Sequence, residues 1–268
     1  MAETYYYLDY DGSRLAYQVG VNGIPVGIEP DGEPRKGLRS VNAFLKPGDN
    51  ELTAFLDWPR GVNYAPGVAS LAARVFEADP AHEMPKPLRT LADFRWPIPA
   101  DEKRNRPAVP EAYPYRARVP FANLDVPELA LWTRAEPIEG GTLEPTDRLD
   151  LANFINEFQR RLAGREYEAA YEMARFRYED EARALYKPPE QMREMVIGMY
   201  AELEQMPGAQ PVPFDAEAGN FEVVGEDLLA MVSRADGGRC VQFRTEEGRT
   251  LPMQVMFAKV AGAWTIAR

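Results

Sequence analysis

The sequence predicts two domains: an all-β antiparallel sandwich over residues 1–138, then an α+β domain over 147–268 in which three helices precede an antiparallel meander. Three observations carry this. Most of the 24 prolines of the 268-residue chain lie before residue 146, in a region of short alternating runs separated by turn signals. Helical periodicity begins only after that point. Beyond Pro213 the pattern changes to strands and stays so to Arg268.

In the first half, "RLAYQVGV" and "IPVGIE" read as a hairpin, with Asn22-Gly23 supplying the positive φ angles of a tight turn. "SVNAFLKPGDNELTAFLDW" reads as two strands joined at Pro47-Gly48, with Leu52, Ala54 and Leu56 on one face and Thr53, Phe55 and Asp57 on the other. "SLAARVFEA", "YPYRARVPF" and "ELALWTRAE" read as further strands. Between them lies a charged, proline-dense insertion, residues 79–114, read as an extended strap pinned across the sandwich by Phe94 and Trp96, with a short element at "LRTLADFRW". Residues 139–146, inside "PIEGGTLEPT", read as the linker. The stretch "VNAFLKPGDNELTAFL" resembles accessory jelly-roll and immunoglobulin-like modules of carbohydrate-active and surface proteins, in which an Asn, a Lys-Pro-Gly turn and an Asn precede a buried strand. That resemblance implies a fold, because those positions shape a turn and perform no chemistry.

In the second half, Asp147 caps a helix that places Leu151, Phe154, Ile155, Phe158 and Leu162 at helical spacing, and Gly164 ends it. The next helix carries Tyr167, Ala170, Tyr171, Ala174 and Tyr178 on one stripe. Pro188 and Pro189 stop it and start a third, with Met192, Met195, Val196, Met199 and Leu203 inward. "NFEVV", "DLLAMVSR", "GRCVQFRT", "LPMQVMFAKVA" and "AWTIAR" follow as hairpin strands. "LAGREYEAAYEMA" resembles one tetratricopeptide unit, but no second copy follows, and such arrays need several repeats to bury a core. Helices followed by a meander ending on "MQVMFAKVAGAWTIAR" resemble the nuclear transport factor 2-like, or SnoaL-like, family. The resemblance implies a cone, in which a bent sheet wraps three helices and the last strand packs its Trp in the body.

Apolar residues at both parities of the late strands, with Val255 and Phe257 facing one way and Met256, Ala258 and Val260 the other, predict a sheet covered on both faces. The helices cover one. The other packs within the chain or, as a homodimer, on another copy. The formal charge of -11, from 42 acidic and 31 basic side chains, argues against nucleic acid, whose phosphates are held by clustered Lys and Arg. No apolar run approaches the roughly 20 residues of a membrane span. The start, "MAETYYYLDYDGSRLAY", lacks the basic and apolar regions of a secretory signal, and the single Cys240 rules out an internal disulfide, so a cytoplasmic address is expected.

Catalytic signatures are missing. Enzymes of the cone family resemble one another in placing an Asp and often a His in the pocket, whereas the one histidine, His82, falls in the insertion of the other domain. Asp180 and Glu181, in "YEDEAR", read as a solvated helix face, with Glu179 and Arg183 as a salt pair. Cys240 reads as a buried packing thiol. No metal spacing or cofactor motif is present, so none is assigned. Gln242, Arg244 and Gln254 are the polar candidates for a cone mouth, and Tyr171, Tyr178, Phe243, Met256 and Trp264 the apolar candidates for a pocket, with core packing the alternative for each. Tyr5, Tyr6, Tyr7 and Tyr10 of "YYYLDY", with Phe94 and Trp96, are the candidate interaction surface.

The functional expectation is a non-catalytic intracellular binding protein with a protein partner, one picture being the neutralising of a basic effector in the manner of a bacterial immunity protein. An isomerase, dehydratase or hydrolase using the cone pocket, and a carbohydrate-binding first domain, are the alternatives. A small-molecule ligand belongs to either of them.

Overall fold

A computed structural model of the chain describes residues 3–59, 68–79, 84–98, 113–123, 126–202 and 208–268. It is mixed α/β, with four antiparallel sheets and four helices, and strands predominate. The chain divides into two compact units, residues 1–128 and 129–268.

The first unit contains β1 (Tyr5–Ser13), β2 (Ala16–Val21), β3 (Ile24–Glu29), β4 (Arg35–Ser40), β5 (Gly48–Asp57), β6 (Ser70–Ala78), β7 (Pro87–Trp96) and β8 (Tyr115–Asn123). They form two four-stranded sheets, ordered β4-β1-β6-β7 and β3-β2-β5-β8. Alternation does the work. Tyr6, Leu8 and Tyr10 of β1, Leu71, Ala73 and Val75 of β6, Val19 and Val21 of β2, and Leu52, Ala54 and Leu56 of β5 meet in one core. The β2–β3 turn has Asn22 and Gly23 at positive φ, as the tight turn requires.

Two expectations change here. The insertion is not a strap: its "LRTLADFRW" stretch lies in β7, a full sheet strand paired antiparallel with β6, and its remaining parts at 80–83 and 99–112, including His82, lie outside the described residues. "SVNAFLK" does not form a strand before β5. It makes a short 3-10 turn at Asn42–Phe44, because side-chain amides take over the backbone groups of this corner. Asn42 Oδ1 accepts from Tyr6 N at 2.7 Å and its Nδ2 donates to Thr4 O at 2.8 Å. Asn50 Oδ1 accepts from Lys46 N and from Asn22 Nδ2, while Asn50 Nδ2 donates to Lys46 O and Gly48 O.

The second unit contains α1 (Ala130–Arg134), α2 (Pro145–Ala163), α3 (Tyr167–Ala184) and α4 (Pro189–Ala201), then β9 (Gln210–Pro211), β10 (Asn220–Val224), β11 (Leu229–Ser233), β12 (Val241–Arg244), β13 (Thr250–Met253), β14 (Met256–Val260) and β15 (Ala263–Ile266). The strands fall into two ladders, β10-β11-β14-β15 and β13-β12-β9. "LPMQVMFAKVA" is therefore two strands in different sheets, broken at Gln254–Val255. Phe257, Val232 and Ile266 share one core with Leu151, Ile155 and Phe158 of α2 and Ala170 and Ala174 of α3. The opposite face is buried too, with Leu229, Met256 and Ala258 at 0%, 3% and 0% exposure in the single chain. Met231 and Val260 on the same face are half-buried.

Other local expectations also differ. "ELALWTRAE" forms α1 rather than a strand, because a buried carboxylate from α3 captures its first backbone donors. Asp147 is not the cap of α2, which starts with Pro145 in its first turn; Asp147 instead pairs with Lys259. Ile138, just before the expected linker, and Leu143, inside it, are buried in the core of the second unit. Among the described residues no helix is long and apolar enough to cross a membrane.

Candidate functional site

α4 presents the largest departure from its predicted face. Met192, Val196 and Tyr200 recur every fourth residue and bury the helix. Met195 and Met199, expected inward, are 50% and 45% exposed. One turn apart, they form an apolar pair on the surface, with Lys187 Nζ 3.9 Å from Met195 Sδ and with Glu190 and Glu194 exposed on the same helix. Arg193 of this helix is held by Glu168 at 2.5 Å. Leu203 lies outside the described residues.

Behind α4, three tyrosines pack in the core. Tyr171 and Tyr178 stack with ring centroids 5.9 Å apart, and Tyr200 OH donates to Tyr178 OH at 3.2 Å. Burial raises the pKa of both Tyr178 and Tyr200, since a phenolate without water is costly. These hydroxyls are made weaker acids and stay protonated, as hydrogen-bond donors, at neutral pH. The guanidinium of Arg177 lies 5.3 Å from the Tyr178 ring centre and binds Glu181 at 2.7 Å.

The remaining expected pocket residues differ in burial. Phe243 and Met256 are buried, Phe243 in the core. Arg244 and Gln254 are exposed, and Gln242 and Trp264 half-buried. Gln242 is tied down by its backbone, whose N–H donates to Gln159 Oε1 at 2.7 Å. Gln254 Oε1 accepts from Arg239 at 3.3 Å. The Trp264 ring lies under Lys259 Nζ at 5.2 Å.

In the first unit, "YYYLDY" splits between two faces. Tyr6 and Tyr10 are buried between the sheets, while Tyr5 and Tyr7 are half-buried on the other side, with Tyr7 stacked on the buried Phe76 at 5.9 Å. Tyr10 fills a slot left by two glycines: a Cβ on Gly37 would lie 2.2 Å from its Cζ, and one on Gly27 2.6 Å. Phe94 and Trp96 are core residues at 5% and 2% exposure, and Trp96 Nε1 donates to Tyr113 OH at 2.8 Å. No exposed platform of four tyrosines forms.

Asp180, expected on a solvated helix face, is instead the most buried charge of the second unit among the described residues. Asp180 is 0% exposed and accepts from Ala130 N at 2.6 Å, Leu131 N at 2.9 Å and the Arg268 guanidinium at 3.2 Å. Burial lowers the Arg268 pKa, and the Asp180 charge opposes that shift. The signal was present but ambiguous, because Asp180 lies two positions after buried Tyr178, between the inward stripe and the charged face. The neighbouring ion pairs also differ from expectation: Glu179 meets Arg175 at 3.6 Å rather than Arg183. Arg234 was missed as well, and donates to the carbonyls of Val212, Pro213, Arg239 and Cys240.

Cys240 is buried, and burial pushes its thiol up to about 12, which makes it unreactive as a nucleophile. Among the described residues no three metal-ligating side chains cluster. No family model, curated protein or solved structure matches the chain, so the functional reading rests on the residues themselves.

Proposed function

We propose that this is a non-catalytic binding protein whose partner is a basic protein, docked on the outer face of α4. The observation that carries it is the exposed Met195–Met199 pair on α4, a helix that also exposes Glu190 and Glu194, in a chain of net charge -11. Methionine is flexible and polarisable, so it suits a surface that packs against a partner's apolar side chains, while an acidic chain attracts a basic partner. The buried charges of the second unit are already committed to structure, as Asp180 is. The fold reading that accompanies this function is a β-sandwich followed by a nuclear transport factor 2-like cone.

Native capture of the tagged chain from its own source tests the proposal, with Met195→Glu/Met199→Glu as the matched control. A stoichiometric basic partner that is lost in the control supports it. A partner retained by the control moves the interface elsewhere, and capture of nothing sinks the binding reading. A second reading, an isomerase, dehydratase or hydrolase working with Tyr and Arg, draws on the Tyr178–Tyr200 hydroxyl pair beside Arg177. The raised pKa values keep those phenols protonated, so in that reading they would act as hydrogen-bond donors and not as a phenolate base.

A further inference from the structure

We propose that Leu129–Ile138 is a releasable strap, docked on the second unit by the Asp180 carboxylate and able to open without unfolding the rest of that unit. Asp180 joins three stretches distant in sequence. It belongs to α3, it holds the first two backbone N–H groups of α1, and it pairs with Arg268 beyond β15. The Arg268 main chain is in turn tied to β14, where Met256 N donates to Arg268 O at 2.6 Å.

The strap has little support of its own. α1 is five residues long, and Leu129 before it supplies no side-chain cap. A helix this short does not persist in water unaided. Its position is therefore set by what it docks on: Leu129, Ala130, Leu131 and Ile138 at 1%, 7%, 0% and 6% exposure, the two bonds to Asp180, the Arg134 guanidinium 5.9 Å from the Phe176 ring centre, and three single hydrogen bonds further along. Glu136 N donates to Lys259 O at 2.8 Å, Gly262 N to Glu136 Oε1 at 2.8 Å, and Ile138 N to Asp227 O at 2.7 Å. Thr133, Arg134 and Pro137 face solvent. A short segment buried at its two ends, with exposed residues between them, opens more readily than the long helices it docks on.

The lock is charged where an apolar plug would serve stability as well, since a buried ion pair seldom outperforms a well-packed hydrophobic replacement. It is also incompletely satisfied: Arg268, 4% exposed, has its Nε buried with no partner. A carboxylate that organises α1 and Arg268 together makes docking depend on one group. Once released, the strap becomes a tether of up to roughly 35 Å for its ten residues, lengthening the connection that follows the first unit.

Native-state hydrogen exchange on the full chain tests this. In the wild type, the amides of Ala130, Leu131, Glu136 and Ile138 are expected to exchange together and faster than those of Ile155 and Phe158 in α2. Asp180→Asn should speed Ala130 and Leu131 by on the order of 100-fold and leave α2 within a few fold. The double variant Asp180→Leu/Arg268→Met should keep the second unit folded and leave the strap unprotected. Strap amides that exchange at the α2 rate in the wild type would overturn the proposal, as would an equal acceleration of α2 in Asp180→Asn or a protected strap in the double variant. Should Asp180→Asn fail to fold, the other two measurements decide.

Discussion

Asn50 shows how much one side chain settles in the first unit. Both amide atoms are fully used, with the oxygen accepting from Lys46 N and Asn22 Nδ2 and the nitrogen donating to Lys46 O and Gly48 O. Asn50→Ala strands those buried groups and should cost about 2 kcal/mol, read as a lower denaturant midpoint for the first unit. Tyr10 makes the complementary point, because its ring occupies space that Gly37 leaves open at 2.2 Å. Gly37→Ala should destabilise by roughly 1–3 kcal/mol, and Tyr10→Leu should relieve that loss in part. Cys240 carries a pH prediction. Its folded pKa, about 12, lies above its unfolded value, so the folded state holds the proton longer. Stability from this source is complete below the unfolded thiol pKa and is lost as pH rises towards 12. Alkylation of Cys240 at pH 8 should be slow in the native protein and fast in denaturant, and equal rates would contradict its burial. Of these residues, the turn role of Asn42 and Asn50 was legible from their place around Lys-Pro-Gly, whereas the glycine slot for Tyr10 was not, since β3 and β4 meet that ring only after folding.

Among elements, legibility follows how local the determining contacts are. α2 and α3 start and stop near where their apolar periodicity does, since helical hydrogen bonds are made within the segment. α1 was misread as a strand because nothing in "ELALWTRAE" announces the Asp180 carboxylate, 49 and 50 positions away in the chain from its two donors. α2 holds its sheet with side chains: Asn156 Oδ1 accepts from Phe214 N at 2.8 Å and its Nδ2 donates to Phe214 O at 2.9 Å, while Gln159 Oε1 accepts from Gln242 N at 2.7 Å and its Nε2 donates to Val212 O at 3.1 Å. Gln159→Leu is near in size but strands the two partner groups, and should cost about 1–3 kcal/mol in thermal unfolding. On α4 the two methionine classes should separate cleanly. Met192→Ala removes buried volume and should cost about 2–4 kcal/mol, whereas Met195→Ala and Met199→Ala should each stay within about 0.5 kcal/mol. A large loss at Met195 or Met199 would mean the pair is covered in the protein and is no docking face.

For the whole molecule, the division at Glu128–Leu129 has a direct consequence. The fragment 129–268 should fold and melt cooperatively, and 147–268, which lacks the donors that satisfy Asp180 and the buried Ile138 and Leu143, should remain folded but melt at a lower temperature. Circular dichroism melts of the two fragments distinguish these outcomes, and equal melting would show that residues 129–146 only connect. The change from a strand-rich first half to helices and then strands was readable from residue order alone, because periodicity, proline density and turn residues act over a few neighbours. The assignment of late strands to two ladders, the burial of both faces around Met256 and Phe257, the outward turn of Met195 and Met199, and the capture of α1 by Asp180 depend on which distant surfaces meet. Those outcomes are decided by packing and by the need to satisfy buried charge, and no short window of sequence contains either.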